Sequence, residues 1–286
     1  MRIEAATGIK PDYRSRSATF WLCTGYLALV TSAAILAMFI APFGYNDQDL
    51  LQRLKPPSFL GGPSAHLLGT DQLGRDVFSR LLFSIQTSLA IAFVGTIIGA
   101  AVGTSLGFVA AHFGGIMDRA IIMLIDMQAA LPFIILALAA LAIFGNSFIV
   151  FMVIVGIHSW ETYARLIRAA VLSANSSDYV TAMRIMGASP WRIYIRHVLP
   201  NVAGILIVQI TLSFPAVILL ESGLSFVGLG VQPPSTSLGL MIGSGRDLLT
   251  QAPWLALAPG LTIFLTCLSV SMLGDKLGDK LNVTLN

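Results

Sequence analysis

The chain has 286 residues, of which 56% are apolar and only 11% charged, with a mean hydropathy of +0.81. Soluble domains carry about 25% charged residues, so this composition excludes an ordinary soluble enzyme or binding module and describes an integral membrane protein built from α-helices. The net charge of +3 does not indicate nucleic acid, because Lys and Arg fall between apolar runs and form no basic face interleaved with aromatics. Cys23 and Cys267 lie within apolar runs, lack Cys-x-x-Cys spacing and read as small hydrophobes.

Residues 1–19 form a short polar tail. The first expected span, about 20–41, has no charge, and 22 residues at about 1.5 Å each cover a hydrocarbon core of about 30 Å. It is too long for a signal-peptide core. Pro42 to Arg80 is rich in turn formers, including Pro56, Pro57, Gly61, Gly62 and Pro63, and reads as an irregular loop. From Asp76 the residues Val77, Phe78, Leu81, Leu82 and Ile85 share one helical face with Arg75, Ser79 and Arg80 opposite, the pattern of a helix lying in the membrane interface.

A second span, about 87–110, carries Gly95, Gly99, Gly103 and Gly107 at intervals of four. Small residues in register let two helix backbones approach in lipid, so this face is expected to be a packing seam. The third span, about 120–144, holds Asp126 and Pro132; the proline should kink it, and the carboxylate has Arg119, Arg165 and Arg168 as ion-pair candidates, a reading favoured over a substrate or proton site. The fourth, about 147–168, must continue through Glu161 and Arg165, because its 14 uncharged residues rise only about 21 Å. His158 has no second ligand at i+4 and reads as a packed histidine. A fifth span, about 202–220, contains Pro215 and ends at Glu221; 222–251 reads as an external loop; a sixth covers about 252–274, and 275–286 is a polar tail.

Between spans four and five lies a polar island, 175–201. Asp178 starts a short helix, Tyr179, Val180, Met183 and Met186 recur on one face, Gly187 stops it, and the chain turns at Pro190 and re-enters the apolar region at Pro200. The island resembles the Glu-Ala-Ala signature of membrane subunits of binding-protein-dependent ABC importers. Ala182, Gly187, Leu199 and Pro200 match that pattern, while Thr181, Met183 and His197 stand where it has Glu, Ala and Ile. The resemblance implies that Asp178, Tyr179, Ala182, Met183, Met186, Gly187, Ala188 and Pro200 belong to a cytoplasmic coupling helix and its exit, gripped by an ATPase subunit.

A second stretch, His66 to Arg80, resembles the GTDxxGRD signature of the peptide and nickel permeases of that family, with Gly69, Thr70, Asp71, Gly74, Arg75 and Asp76 matching. At their simplest these residues cap and pair at a helix start. Glu221 to Pro234 also resembles the corresponding stretch of peptide permeases, although Leu238-Gly239 follows where Trp-Gly is usual.

Six spans put both termini and the island on one side. Four Lys/Arg in the N-terminal tail, Arg119, five between Arg165 and Arg196, and two at the C-terminal end give that side twelve, against five on the other, so by the positive-inside rule it is cytoplasmic. There is no Gly-x-x-x-x-Gly-Lys-Ser/Thr phosphate loop. The resemblance therefore implies a non-enzymatic permease subunit of a bacterial inner membrane, binding no cofactor itself. ATP and Mg would sit on one or two cytoplasmic ATPase subunits, and its other partners would be a second homologous permease subunit, an extracytoplasmic binding protein and the lipid bilayer. Di- and oligopeptides are the implied cargo, with nickel, opine-like or other small solutes as alternatives. A secondary transporter would need more intramembrane ionisable groups than Asp126, and an intramembrane hydrolase would need Ser244 and His158 to meet from opposite faces.

Overall fold

The computed structural model describes the backbone of residues 13–285, and the side chains of 18–279 except those at positions 179, 181, 184, 190, 191, 195, 197 and 201. The tail expected at 1–19 lies largely outside the described residues. Among these residues the chain is helical, with one isolated bridge, Thr70 to Asp76, and no strand.

The organising element is the third helix. After α1 (Tyr13–Ile35) and the short α2 (Ala37–Ile40), α3 runs unbroken from Val77 to Phe113, about 55 Å at the α-helical rise. Asp76 caps it by accepting from Ser79 N at 2.7 Å, and Gly114, at φ +59°, ends it. Next come α4 (Gly115–Ala130), α5 (Phe133–Phe144), α6 (Phe148–Ile157), α7 (Trp160–Asn175), α8 (Asp178–Ile185), α9 (Pro190–Ile193), a π-helical turn (Tyr194–Val198), α10 (Leu199–Phe226), α11 (Leu238–Gly245) and α12 (Trp254–Leu285). α3 packs mainly on α7, and also touches α6, α10 and α1, while α10, α11 and α12 form a second group. Ile91, Ala92, Phe151, Val155, Val217 and Ile218 are buried where the two groups meet.

Among the described residues four helices are long and apolar enough to cross a membrane, Ala18–Ile35, Val77–Phe113, Val202–Phe226 and Trp254–Asp279, and the bent pair α4–α5 makes a fifth if counted as one span.

Several boundaries differ from the expected ones. The interfacial helix and the second span are one helix, and Arg75, Ser79 and Arg80 are buried, with Asp71 and Asp76 just before the helix and, for Arg80, the distant Thr236 partnering them. Pro132 does more than kink the third span. It lacks an N–H and drives Leu131 into extended backbone (φ −109°, ψ 136°), so α4 and α5 meet at 96°. The fourth expected span is divided at His158–Ser159 into α6 and α7. α10 continues past Glu221 to Phe226, and α12 continues through the expected tail to Leu285. The stretch 222–251 is not an external loop throughout: α11 is tucked in, with Leu238, Gly239, Met241 and Gly245 buried. Its glycines carry the packing, since a Cβ on Gly243 would lie 2.9 Å from Phe226 O and one on Gly245 2.9 Å from Leu255 Cβ.

Candidate functional site

Two built regions lie at opposite ends of α3. At its C-terminal end the polar island folds into a corner. α8 closes with a double bond pattern, Met186 N to Ala182 O and Ala188 N to Met183 O, both at 3.0 Å, around Gly187 at φ +78°. Such a closure needs a left-handed residue, and glycine adopts it without steric cost. Ser189 starts α9, accepting from Arg192 N at 3.4 Å, and the chain passes through the π-turn into α10, which carries Pro200, exposed, in its first turn.

The inner side of the corner is anchored. Val180, Ile193, Val198 and Val202 are buried against Ala111, Ile167 and Val171, with Met183 and Ala188 half-buried beside them. Asn175 Nδ2 donates to Tyr194 Oη at 3.0 Å. Outside, Asp178 and Ala182 are exposed, and Ile185 and Met186 stand 82% and 77% exposed. The side chain of Tyr179 lies outside the described residues. The corner thus presents an exposed apolar tip, Ile185 and Met186, beside the exposed Asp178 and Arg192.

Of the four glycines of α3, Gly99, Gly103 and Gly107 lie against the backbone of α6 and α7, and Gly95 lies between α6 and α10. A Cβ on Gly95 would stand 3.2 Å from Val217 Cγ1, on Gly99 2.9 Å from Gly156 O, and on Gly107 2.7 Å from Ala164 O. At Gly103 it would overlap Trp160 O and approach Tyr163 Cβ to 2.5 Å and Ala164 N to 3.0 Å. The backbones therefore meet directly over about two turns, from Gly99 to Gly107. This seam joins the α3 shaft to α7, which leads into the corner.

At the N-terminal end of α3 the GTDxxGRD residues form a clasp. Thr70 is fully buried; its Oγ1 accepts from Lys55 N at 2.9 Å and donates to Gln52 O. Asp71 accepts from Leu73 N, Arg75 N and Arg75 Nε at 2.8, 3.0 and 2.7 Å and pairs with Arg80 Nη1 at 3.3 Å. Asp76 takes both Ser79 N and Ser79 Oγ at 2.7 Å and meets His66 Nδ1 at 2.9 Å. Gly69 (φ +77°) and Gly74 (φ +72°) turn the loop against backbone at Lys55 and Asp49, leaving no room for a side chain. The loop 42–76 is thereby fixed to the helix end.

Three arrangements are not evident from the sequence. Glu221, fully buried, accepts from Ser88 Oγ at 2.9 Å and Ser225 Oγ at 2.8 Å, while Ser88 Oγ also caps α11 by accepting from Leu238 N at 3.1 Å. Serines at i+1 and i+4 from the glutamate were the available signal, but Ser88 lies 133 residues away. Gln128 joins the two helix breaks, donating to His158 O at 3.0 Å and accepting from Trp160 Nε1 at 2.6 Å. Asp118 is held by Arg168 through Nη2 at 2.7 Å, whereas Asp126 meets Arg165 only at 3.8 Å, with both side chains about two-thirds exposed. His158 packs on Phe133, ring centroids 4.2 Å apart. Among the described residues no three His, Cys, Asp or Glu side chains gather as metal ligands.

The family described as binding-protein-dependent transport system inner membrane component matches residues 103–283, more than half of the chain. This chain belongs to that family. It is accordingly a multi-pass inner-membrane permease. Similar relatives include the di/tripeptide transport system permease protein DppC of Pseudomonas aeruginosa, 41% identical over 90% of this chain and 85% of the relative. The dipeptide transport system permease protein DppC of Haemophilus influenzae is 36% identical (90% and 88% covered), and the glutathione transport system permease protein GsiD of Pectobacterium atrosepticum 37% (90% and 84%). The fold is similar to a chain of the MetNI methionine ABC transporter in an inward-facing conformation, with a TM-score of 0.59 at 20% identity, covering 71% of this permease and 97% of that chain. The matched region takes in the corner and the second half of the glycine seam, Gly103 and Gly107, and leaves the clasp of the permease outside it.

Proposed function

We propose that this permease conducts short peptides across the inner membrane, and that ATP hydrolysed on separate subunits drives it through the corner formed by α8 and α9. The observation that carries this reading is the exposed Ile185–Met186 tip on an anchored corner with Gly187 in the left-handed region. The glycine seam gives such a corner a stiff lever, because α7 and α3 touch through backbone and must move together. The corner faces the cytoplasm on the positive-inside count, the clasp faces the binding protein outside, and a second permease subunit completes the passage. The names of the relatives support di- and tripeptides as cargo.

Purified complex reconstituted in proteoliposomes with its ATPases, partner permease and binding protein is expected to import trialanine only with ATP inside the ATPase-exposed compartment. Accumulation of nickel in place of dialanine, trialanine or glutathione would overturn the peptide assignment.

A further inference from the structure

Glu221 lies within the span Val202–Phe226 and is fully buried, yet among the described residues no Lys, Arg or His forms an ion pair with it. An ionisable group at such a place is costly and marks a function. Its partners are hydroxyls. Ser225 Oγ donates to Oε1 at 2.8 Å, and Ser88 Oγ and Ser222 Oγ donate to Oε2 at 2.9 and 3.3 Å. Two of these hydroxyls each hold a second group: Ser88 Oγ accepts from Leu238 N at 3.1 Å and Ser225 Oγ from Val231 N at 3.2 Å. Both ends of the segment 231–238 therefore hang on one carboxylate.

The same segment is gripped from α3, where Arg80, Ser84 and Ser88 follow one another four residues apart on one face. Arg80 Nη2 donates to Thr236 Oγ1 at 3.5 Å, and Ser84 Oγ shares a hydrogen bond with Thr236 Oγ1 at 2.7 Å. Ser88 stands about 18 Å along α3 from its cap Asp76, so after the end of α10 the chain folds back beside the spans. α11 then carries it outward again along α10, since a Cβ on Gly239 would overlap Ser222 O and one on Gly243 would lie 2.9 Å from Phe226 O. At the outer end Val227, Gln232, Pro233, Pro234 and Ser235 form an exposed turn, tied to the clasp because Arg80 also pairs with Asp71.

We infer that Glu221 is a positioning residue: through Ser88 and Ser225 it sets the shape of the re-entrant segment 227–238, and so of the external turn that a peptide-loaded binding protein meets. The inference rests on the function proposed above and deepens it. A hydroxyl carries a single proton. Ser88 and Ser225 give theirs to the carboxylate, which turns their lone pairs towards Leu238 N and Val231 N. An amide of the same size at 221 would set an NH2 group against one of the two hydroxyls, whose own proton would then lack an acceptor in a dry site. The segment would shift to relieve it, while the apolar contacts of α10 with its neighbours would stay.

The test uses the full transporter in proteoliposomes, with its ATPases and partner permease, titrated with trialanine-loaded binding protein. Glu221→Gln should copurify with its partners and keep the parent's maximal uptake rate, but raise the binding-protein concentration for half-maximal uptake about fivefold. Glu221→Asp, which still only accepts, should lie between the parent and Glu221→Gln. Ser225→Ala, which cuts the link to Val231 N, should raise the half-saturating concentration about threefold, more than Ser222→Ala, whose hydroxyl holds no amide of the segment. A lower maximal rate at unchanged half-saturation would make the carboxylate part of the transport step itself, and lower abundance with parental kinetics per complex would make it a structural tie; either would overturn the inference. If Glu221→Gln fails to assemble, parental half-saturation in Ser225→Ala would overturn it. Import of trialanine by the parent leaves the peptide reading standing in all these cases, whereas a parent that imports none removes that reading and this inference together.

Discussion

Gly103→Leu is expected to leave the permease unassembled. Even a Cβ at this position overlaps Trp160 O and lies 2.5 Å from Tyr163 Cβ and 3.0 Å from Ala164 N, so the new side chain meets backbone that cannot swing aside. Overpacking of a close-packed site costs about 1–3 kcal/mol, and more where no rotamer escapes the clash. Here relief requires α3 and α7 to separate, which also withdraws Ile167 and Val171 from the apolar cluster beneath the corner. Gly25→Leu is the control, since nothing lies within 4 Å of a Cβ there. Membrane abundance and copurification with the partner subunits should be normal for Gly25→Leu and lost for Gly103→Leu. Normal assembly of both would mean that the seam is not a contact in the membrane.

Asp71→Ala should be nearly as damaging, by a different route. It removes the carboxylate shared by Arg75 and Arg80, whose residues are 9% and 5% exposed, and leaves two buried like charges. Removing one partner of a buried ion pair costs about 3–5 kcal/mol. The loop 42–76 should then detach from α3 and become sensitive to protease. Adding Arg80→Met should recover part of the loss by deleting one unpaired charge, the outcome a double-mutant cycle measures. No recovery, or a protease-resistant loop in Asp71→Ala, would show that the clasp is held by other contacts.

The seam was legible in the sequence because it is local: four glycines at i+4 intervals can only share a helix face. Gly187 was legible for the same reason, as a glycine closing a short apolar-periodic helix. Arg80 was misjudged because its surroundings are not local. Its partners are Asp71 and, through Nη2 at 3.5 Å, Thr236, 156 residues away, and without them an arginine on an amphipathic helix reads as solvent-facing. The same holds for α11, where glycine content and a charged neighbour suggested a loop, whereas close backbone approach to α10 and α12 makes those glycines a packing surface. At Pro132 the sequence announced a kink, but its angle depends on how α4 and α5 pack against α7 and α6, with Gln128 holding the break against the corner of those two helices.

The corner formed by α8 and α9 is proposed to receive the ATPase. Gly187→Val tests it most directly, because a β-branched residue in the left-handed region costs about 1–2 kcal/mol locally while membrane insertion depends on the hydrophobic helices, which are unchanged. Copurification of the ATPase and ATP-driven peptide uptake are to be compared for Gly187→Val and for Ser173→Val, an exposed position on α7 outside the docking helix. Ser173→Val is expected to behave as the parent, whereas Gly187→Val is expected to insert normally but to lose ATPase attachment, or to hydrolyse ATP without uptake. Equal attachment and uptake in the two variants would contradict it and reduce the corner to a connection between helices.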